Sequence, residues 1–367
     1  MVKPTSSFGL PRRWGFVGVL AMATLAVALG TACQPILADP HAHNESTAGD
    51  GWDITIGTGG CILNPRVPVI GSIGAGGPEN TLLSRQVSGD AMPAGAGPWF
   101  EDAGHCGNEI WAPSTIFYGG QWIMHYTARK PGGQRCIGRA LASSVRGPYS
   151  PVSEWACPGG GRWAIDPFSF VGHDGQLYVA YRDDAAVSGA CNTAISIVRT
   201  NAIGEAIWST RRTAFRSDQV GWNINGMPTG GCPSGVRVVE NPSVQRGSGS
   251  QHYLFFSTGN FASAQYATGI ASCGTNPLGP AGGCILQPLH NRPYFAFSGS
   301  GLNPLLTLPG DHPGPGGMAS YLSCCTSSWP FVEPRVVWHW YHPPDGQRRS
   351  RNAALVLTPY GWAVPQA

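Results

Sequence analysis

The chain has 367 residues, of which 52 are Gly, 32 Pro, 12% charged and 10% aromatic, with a formal charge of +3. So many aromatics with so little charge exclude a disordered polypeptide. The thin spread of Lys and Arg excludes a surface that tracks a nucleic-acid backbone. Dense Gly and Pro leave little room for long helices and favour many short strands joined by turns.

The first feature in chain order is an export signal. Arg12 and Arg13 precede an apolar run over 14–29 and the small residues Gly30, Thr31 and Ala32, the three regions of a signal peptide. The arginine pair also suits twin-arginine export. The run is short for a spanning helix, so no membrane span is expected. Residues 1–32 are read as signal peptide, with an alternative end at 38, and 39–367 as one domain. The cysteines agree with export. Ten of the 11, Cys61, Cys106, Cys136, Cys157, Cys191, Cys232, Cys273, Cys284, Cys324 and Cys325, allow up to five disulfides. None shows the CxxC spacing of a zinc site, and no metal is assigned. Cys33 is left over at the cleavage junction, where a lipid anchor would attach, although Leu29 lies one position too far upstream for a good lipobox.

The mature region carries a diverged repeat. Each unit opens on a pair of residues ending in Pro, continues as an apolar stretch, turns at Gly, and returns as an aromatic-rich strand followed by another strand. Ala38-Asp39-Pro40 opens the first unit, with Gly51 to Ile56 as its return strand. Trp111-Ala112-Pro113 opens the second, which turns at Gly119-Gly120 and returns as Gln121 to Tyr126, with a further strand at Ile137 to Ala142. Ile165-Asp166-Pro167 opens the third, with an Asp174-Gly175 turn, return strand Gln176 to Tyr181 and outer strand Ala194 to Val198. Asp-Gly between apolar runs is a hairpin signal. Glu240-Asn241-Pro242 opens the fourth, returning as His252 to Phe256 with Ala267 to Ala271 beyond. Gly314-Pro315-Gly316 opens the fifth, followed by Val336 to Tyr341 and Ala353 to Leu357. Five such units predict an all-β, five-bladed β-propeller. The prolines stand at strand starts, where a missing N–H is tolerated. A β-sandwich with coincidental prolines is the alternative.

In a propeller the first strand of every blade converges on the axis, so residues at those starts share one funnel. Three starts carry an acid: Asp39, Asp166 and Glu240. Clustered carboxylates disfavour joint ionisation, so one can hold a proton while another stays a base. Glycosidic bond cleavage needs that division. Trp111, at another start, could stack on a sugar ring. Singly, an Asp before Pro is more often a turn former, and a Trp more often core. No serine-hydrolase, nucleotide-binding or zinc-protease motif appears in a supporting context.

Glu109-Ile110-Trp111-Ala112-Pro113, Ile137-Gly138-Arg139-Ala140 with Arg146-Gly147-Pro148-Tyr149, Ile165-Asp166-Pro167 with Asp174-Gly175, Glu240-Asn241-Pro242, and Trp340-Tyr341-His342 ahead of Gly361-Trp362 together resemble glycoside hydrolase family 43. That family contains arabinanases, α-L-arabinofuranosidases and β-xylosidases. The resemblance implies a secreted, monomeric inverting glycosidase acting on arabinan, arabinoxylan or xylan. It implies Asp39 as general base, Glu240 as general acid and Asp166 as the residue that orients the acid, with Trp111 and His342 as substrate-binding residues. The polar stretch after Asp39 and its closeness to the export signal keep Asp53 and Asp102 as alternatives for the base. Arabinanase-like members carry a histidine after Gly-Pro-Gly that helps hold a central calcium. Here that position is Gly317, so no cofactor is required and a structural calcium would depend on His312 as a loose substitute. Two other functions compete: a related propeller glycosidase acting on other sugars such as fructans, and a sugar-binding propeller without catalysis.

Overall fold

The computed structural model describes residues 85–101 and 110–222, most of 232–286, and strand segments between 36 and 74 and between 295 and 363, the latter two groups mainly as backbone. The export signal, Cys33 and Asp102 lie outside the described residues. Among the described residues the architecture is all-β, interrupted only by single 3-10 turns.

Strands β1 (Ile36–Asn44), β2 (Trp52–Gly60), β3 (Pro68–Gly74) and β4 (Arg85–Asp90) form one four-stranded antiparallel sheet. A second contains β5 (Ile110–Tyr118), β6 (Gln121–Arg129), β7 (Arg135–Ala142) and β8 (Ser150–Ala156). A third contains β9 (Ala164–Val171), β10 (Leu177–Asp183), β11 (Ala194–Arg199) and β12 (Arg212–Arg216). The fourth is built on β13 (Val239–Arg246), β14 (His252–Thr258) and β15 (Ala267–Gly274), extended by β16 (Ile285–Leu286), β17 (Phe295–Phe297) and β18 (Leu306–Leu308). The fifth contains β19 (Gly316–Thr326), β20 (Trp329–His342) and β21 (Gln347–Ala354), and β22 (Val356–Thr358) pairs with β23 (Gly361–Ala363). Each of the five units expected from the sequence therefore begins a separate sheet. The first strands touch in ring order: β1 meets β5, β5 meets β9, β9 meets β13, β13 meets β19, and β19 meets β1.

All five first strands break register with the second strand at the same place. The skipped pairs are Asp39-Pro40, Ala112-Pro113, Asp166-Pro167, Asn241-Pro242 and Gly317-Met318. Proline has no N–H to give the ladder, and a bulge is where that absence costs least. Ala112, Asp166 and Asn241 take positive φ of 42°, 55° and 47°. Non-glycine residues rarely adopt this conformation. The bulge thus turns the chain at the start of each of these three strands and re-aims the residue before the proline.

Alternation along β10 decides how the third sheet packs. Tyr178 and Ala180 join Val239, Leu254, Phe256 and Ala271 in the core toward the fourth sheet. Val179 and Tyr181 join Ile137 and Trp155 in the core toward the second. The next two residues follow the same parity, so Arg182 is directed toward the fourth sheet and Asp183 toward the second.

Among the described side chains, disulfides join Cys136 to Cys157, Cys191 to Cys232 and Cys273 to Cys284. The pairing of the other cysteines falls outside the described residues. No helix among the described residues is long and apolar enough to cross a membrane.

Candidate active site

Two of the three predicted acids meet where β9 and β13 begin. Asp166 and Glu240 are both buried, with 7% and 8% exposure. Their positions correct the sequence reading in one respect. The residue equivalent to Asp166 in the bulge is Asn241, not Glu240, which stands one place earlier and pairs with Ser257. The offset still brings the acids together, because Oδ2 of Asp166 accepts the backbone N–H of Asn241 at 3.1 Å. Asp166 is held from the other side by its own N–H, which donates to Thr127 Oγ1 at 3.0 Å.

Arg182, at the end of β10, is the cation of the cluster. Its Nη1 donates to Glu240 Oε2 at 3.0 Å, while Nε and Nη2 donate to Asp184 Oδ1 and Oδ2 at 2.9 and 3.1 Å. The second contact is the fork-to-fork arrangement that fixes a guanidinium plane. Burial alone would lower the proton affinity of Arg182, but the carboxylates of Asp184, Glu240 and Asp166 reverse that and raise it above the ordinary arginine value. Asp184 sits in a turn that Arg162 ties down through the carbonyls of Asp184 and Val187. Tyr266, fully buried, donates its hydroxyl to Glu240 Oε1 at 2.8 Å and accepts from Asn241 Nδ2 at 2.9 Å. Glu240 therefore receives a donor at each oxygen, the arrangement of a carboxylate.

An aromatic edge borders the acids. The Arg135 guanidinium lies 3.6 Å from the centroid of the Trp111 ring. One face of Trp111 is thus occupied, and stacking on a sugar is left to the other. Trp163 meets Trp111 edge-on at 6.4 Å and has Arg182 5.8 Å above its ring. The sequence reading missed Trp163, Arg182, Asp184 and Tyr266. Only their place at the ends of return strands or in the loops beside a Pro-headed strand could have marked them.

Asp39 occupies in β1 the bulge position that Asp166 occupies in β9, and its side chain lies outside the described residues. Asp53 is in β2, where it pairs with Asn44 and Ile73. His342 ends β20, three residues beyond the partner of Gly316, at the end of the fifth sheet where its first strand begins. The side chains of Asp53 and His342 are likewise outside the described residues. Among the described residues no group of three or more His, Cys, Asp or Glu is gathered to hold a metal ion. Gly317 enters only as backbone of β19, and His312 lies outside the described residues.

A family model described as "Glycosyl hydrolases family 43" matches residues 88–308, more than half of the chain. Xylosidase/arabinosidase 43A of Humicola insolens is 32% identical over 81 residues, a match spanning 22% of this chain and 24% of that protein's length. Among solved structures, a thermostable family-43 glycoside hydrolase superposes with a TM-score of 0.64 at 21% identity, covering 91% of this chain and 94% of the other. An endo-arabinase from Bacteroides thetaiotaomicron gives 0.62 at 15% identity over 89% and 98%. At such identities the superpositions establish the fold alone.

Proposed function

The chain belongs to glycosyl hydrolase family 43, and from that premise we propose that it is an exported glycosidase cleaving arabinose- or xylose-containing polysaccharides with inversion at the anomeric carbon. The observation that carries this reading is the buried junction of Asp166 and Glu240, organised by Arg182 at the starts of two converging strands. Glu240 is the general acid that protonates the leaving oxygen, and Asp39 the base that takes a proton from the attacking water. Asp166 acts on Glu240 through the backbone of Asn241 and through shared attraction to Arg182. Since Glu240 has a donor on each oxygen in the free protein, substrate must weaken one of these contacts for Glu240 to carry a proton. The Tyr266 hydroxyl, which can rotate, yields without moving a charge. Trp111, Trp163 and His342 line the sugar path. The closed ring of first-strand contacts supports five blades. The disulfides favour an oxidising compartment.

Glu240→Gln and Asp39→Asn are to be compared on arabinan, arabinoxylan, xylan and aryl pentosides. A polysaccharide leaving group needs the acid and an activated phenol barely does. Glu240→Gln should therefore lose about 100-fold or more on polymer and much less on the aryl substrate. Asp39→Asn should lose both alike. NMR of the first-formed anomer reports inversion. A folded wild-type chain that binds these polymers and turns over none of the substrates would sink the enzymatic reading in favour of a sugar-binding propeller.

A further inference from the structure

On the opposite face of β10 from Arg182 lies a cavity of about 320 Å3 between the second and third sheets. Tyr181 and Asp183, which share that face, form its floor with Trp155. The 3-10 turn at Trp208–Thr210 and Arg211 form its outer wall, and Cys157 and Pro158 its rim. Trp155 and Tyr181 are 6% and 2% exposed, but Trp208 is 47% exposed, with its ring 5.3 Å from that of Trp155. Trp155 is locked, since its Nε1 donates to the carbonyl of Gly204 at 2.8 Å. Asp183 is 2% exposed. Its Oδ1 accepts the N–H of Ala185 at 3.2 Å and its Oδ2 accepts Nε of Arg211 at 2.8 Å. The Cys136–Cys157 disulfide fastens the rim to β7.

We propose that this cavity is a second carbohydrate-binding site, separate from the acid cluster, that holds one sugar unit of the polymer against Trp208. The combination of a half-exposed indole on a rigid aromatic base with a charge pair fixed at the cavity wall suits a sugar. The apolar face of the ring covers the indole, and vicinal hydroxyls meet the outer edge of the Arg211 guanidinium, which Asp183 holds in place from behind. The volume is at the small end of ligand sites, roughly 300–1,000 Å3, which fits a single unit rather than a long stretch of chain. A polymer held here is tethered while another part of it enters the active site, which raises its local concentration there. The choice of pentose polymers as ligand rests on the function proposed above; the site itself rests on the cavity.

The test uses the full mature chain in which Glu240→Gln prevents degradation, run through gels containing soluble arabinoxylan, arabinan or xylan. Adding Trp208→Ala, or Arg211→Lys as a milder change that keeps the charge beside Asp183, is expected to weaken retention on at least one polymer by about fivefold or more. In the chain with Glu240 intact, Trp208→Ala should leave kcat/KM on an aryl pentoside unchanged and raise the apparent KM on polymer. Retention within twofold of the parent for both variants on all three polymers overturns the proposal. An intact chain that turns over no aryl pentoside tells against the enzymatic reading, while the gel comparison still decides the cavity.

Discussion

The seams on either side of the third sheet are built on the same bulged first strands and closed by opposite chemistry. Toward the second sheet the seam closes on a neutral hydrogen-bond chain at His125, with the Arg139–Glu205 and Arg211–Asp183 ion pairs beside it. His125, fully buried, has Nε2 2.9 Å from the carbonyl of Gly204 and Nδ1 2.9 Å from Ser169 Oγ. A carbonyl only accepts, so Nε2 carries the proton and Nδ1 accepts from the serine. The Ser169 N–H donates to Ser114 Oγ at 2.8 Å. Toward the fourth sheet the seam is ionic, with Arg182 among Asp184, Glu240 and Asp166. The bulge residue contributed by the second sheet is Ala112, and those of the third and fourth are Asp166 and Asn241. The backbone device is common, and the side chain placed on it decides whether a seam only packs or can also move protons. A neutral seam of satisfied hydrogen bonds is stable over a wide pH range only while its histidine stays uncharged. An ionic seam is stable only while its charges balance.

Removing the cation should break the ionic seam most severely. Arg182→Ala leaves three carboxylates crowded and partly buried without their counter-ion. Stability should fall by about 3–5 kcal/mol, as for other buried pairs that lose one partner, in denaturant titrations read by tryptophan fluorescence. Hydrolysis should be lost with it. Arg182→Lys keeps the charge but not the fork to Asp184, and should fall between the two. Equal stability of Arg182→Ala and wild type would mean that the seam is held by apolar packing alone.

The neutral seam should fail with acid. Burial, outweighing the Gly204 hydrogen bond, lowers the His125 pKa to about 3, with the Arg139 charge adding to the fall. An unfolded chain protonates this histidine below about pH 6.5 while the folded one does not. Between those values the unfolded state binds more protons, so stability drops as pH falls through that window. The His125 contribution to this loss should reach about 2.5 kcal/mol by pH 4.5. His125→Gln should flatten that part of the profile in melts from pH 7 to 4.5, even if it lowers stability at pH 7. An unchanged slope would mean that His125 is charged in the folded protein.

The smallest expected effect separates positioning from packing within the ionic seam. Tyr266→Phe keeps the ring against Gly316, where a Cβ would lie 2.0 Å from the tyrosine ring, and removes only the hydroxyl that donates to Glu240 Oε1 and accepts from Asn241 Nδ2. The cost to stability should be about 1–2 kcal/mol. If Tyr266 positions the acid, kcat on polymer should fall by roughly tenfold with KM little changed, and the pH–rate profile should move. A stability loss with an unmoved profile would make the tyrosine a packing residue only.

Much of the frame was legible from local rules. Pro at strand starts, Gly turns and alternating aromatic strands marked five units, and each begins a separate sheet with its first strand where the prolines put it. The fourth strands β4, β8 and β12 were missed, because outer strands such as Arg212–Arg216 carry too few apolar residues to show a period. The repeat singled out Asp166 and Glu240 as equivalent strand starts, whereas the register puts Asp166 in the bulge of β9 and Glu240 one residue before the bulge of β13, paired with Ser257. The residue types at the strand starts, the turn chemistry and the cysteines are properties of short segments, and the sequence by itself determined them. That Arg182 faces Glu240 while Asp183 faces a cavity was decided only when β10 was packed between two sheets. So was the meeting of Tyr266 with Glu240, and of His125 with the Gly204 carbonyl 79 residues away. The physical reason is that a strand presents its side chains alternately to two neighbours, and which neighbour stands on each side is a property of how the sheets pack, not of the segment.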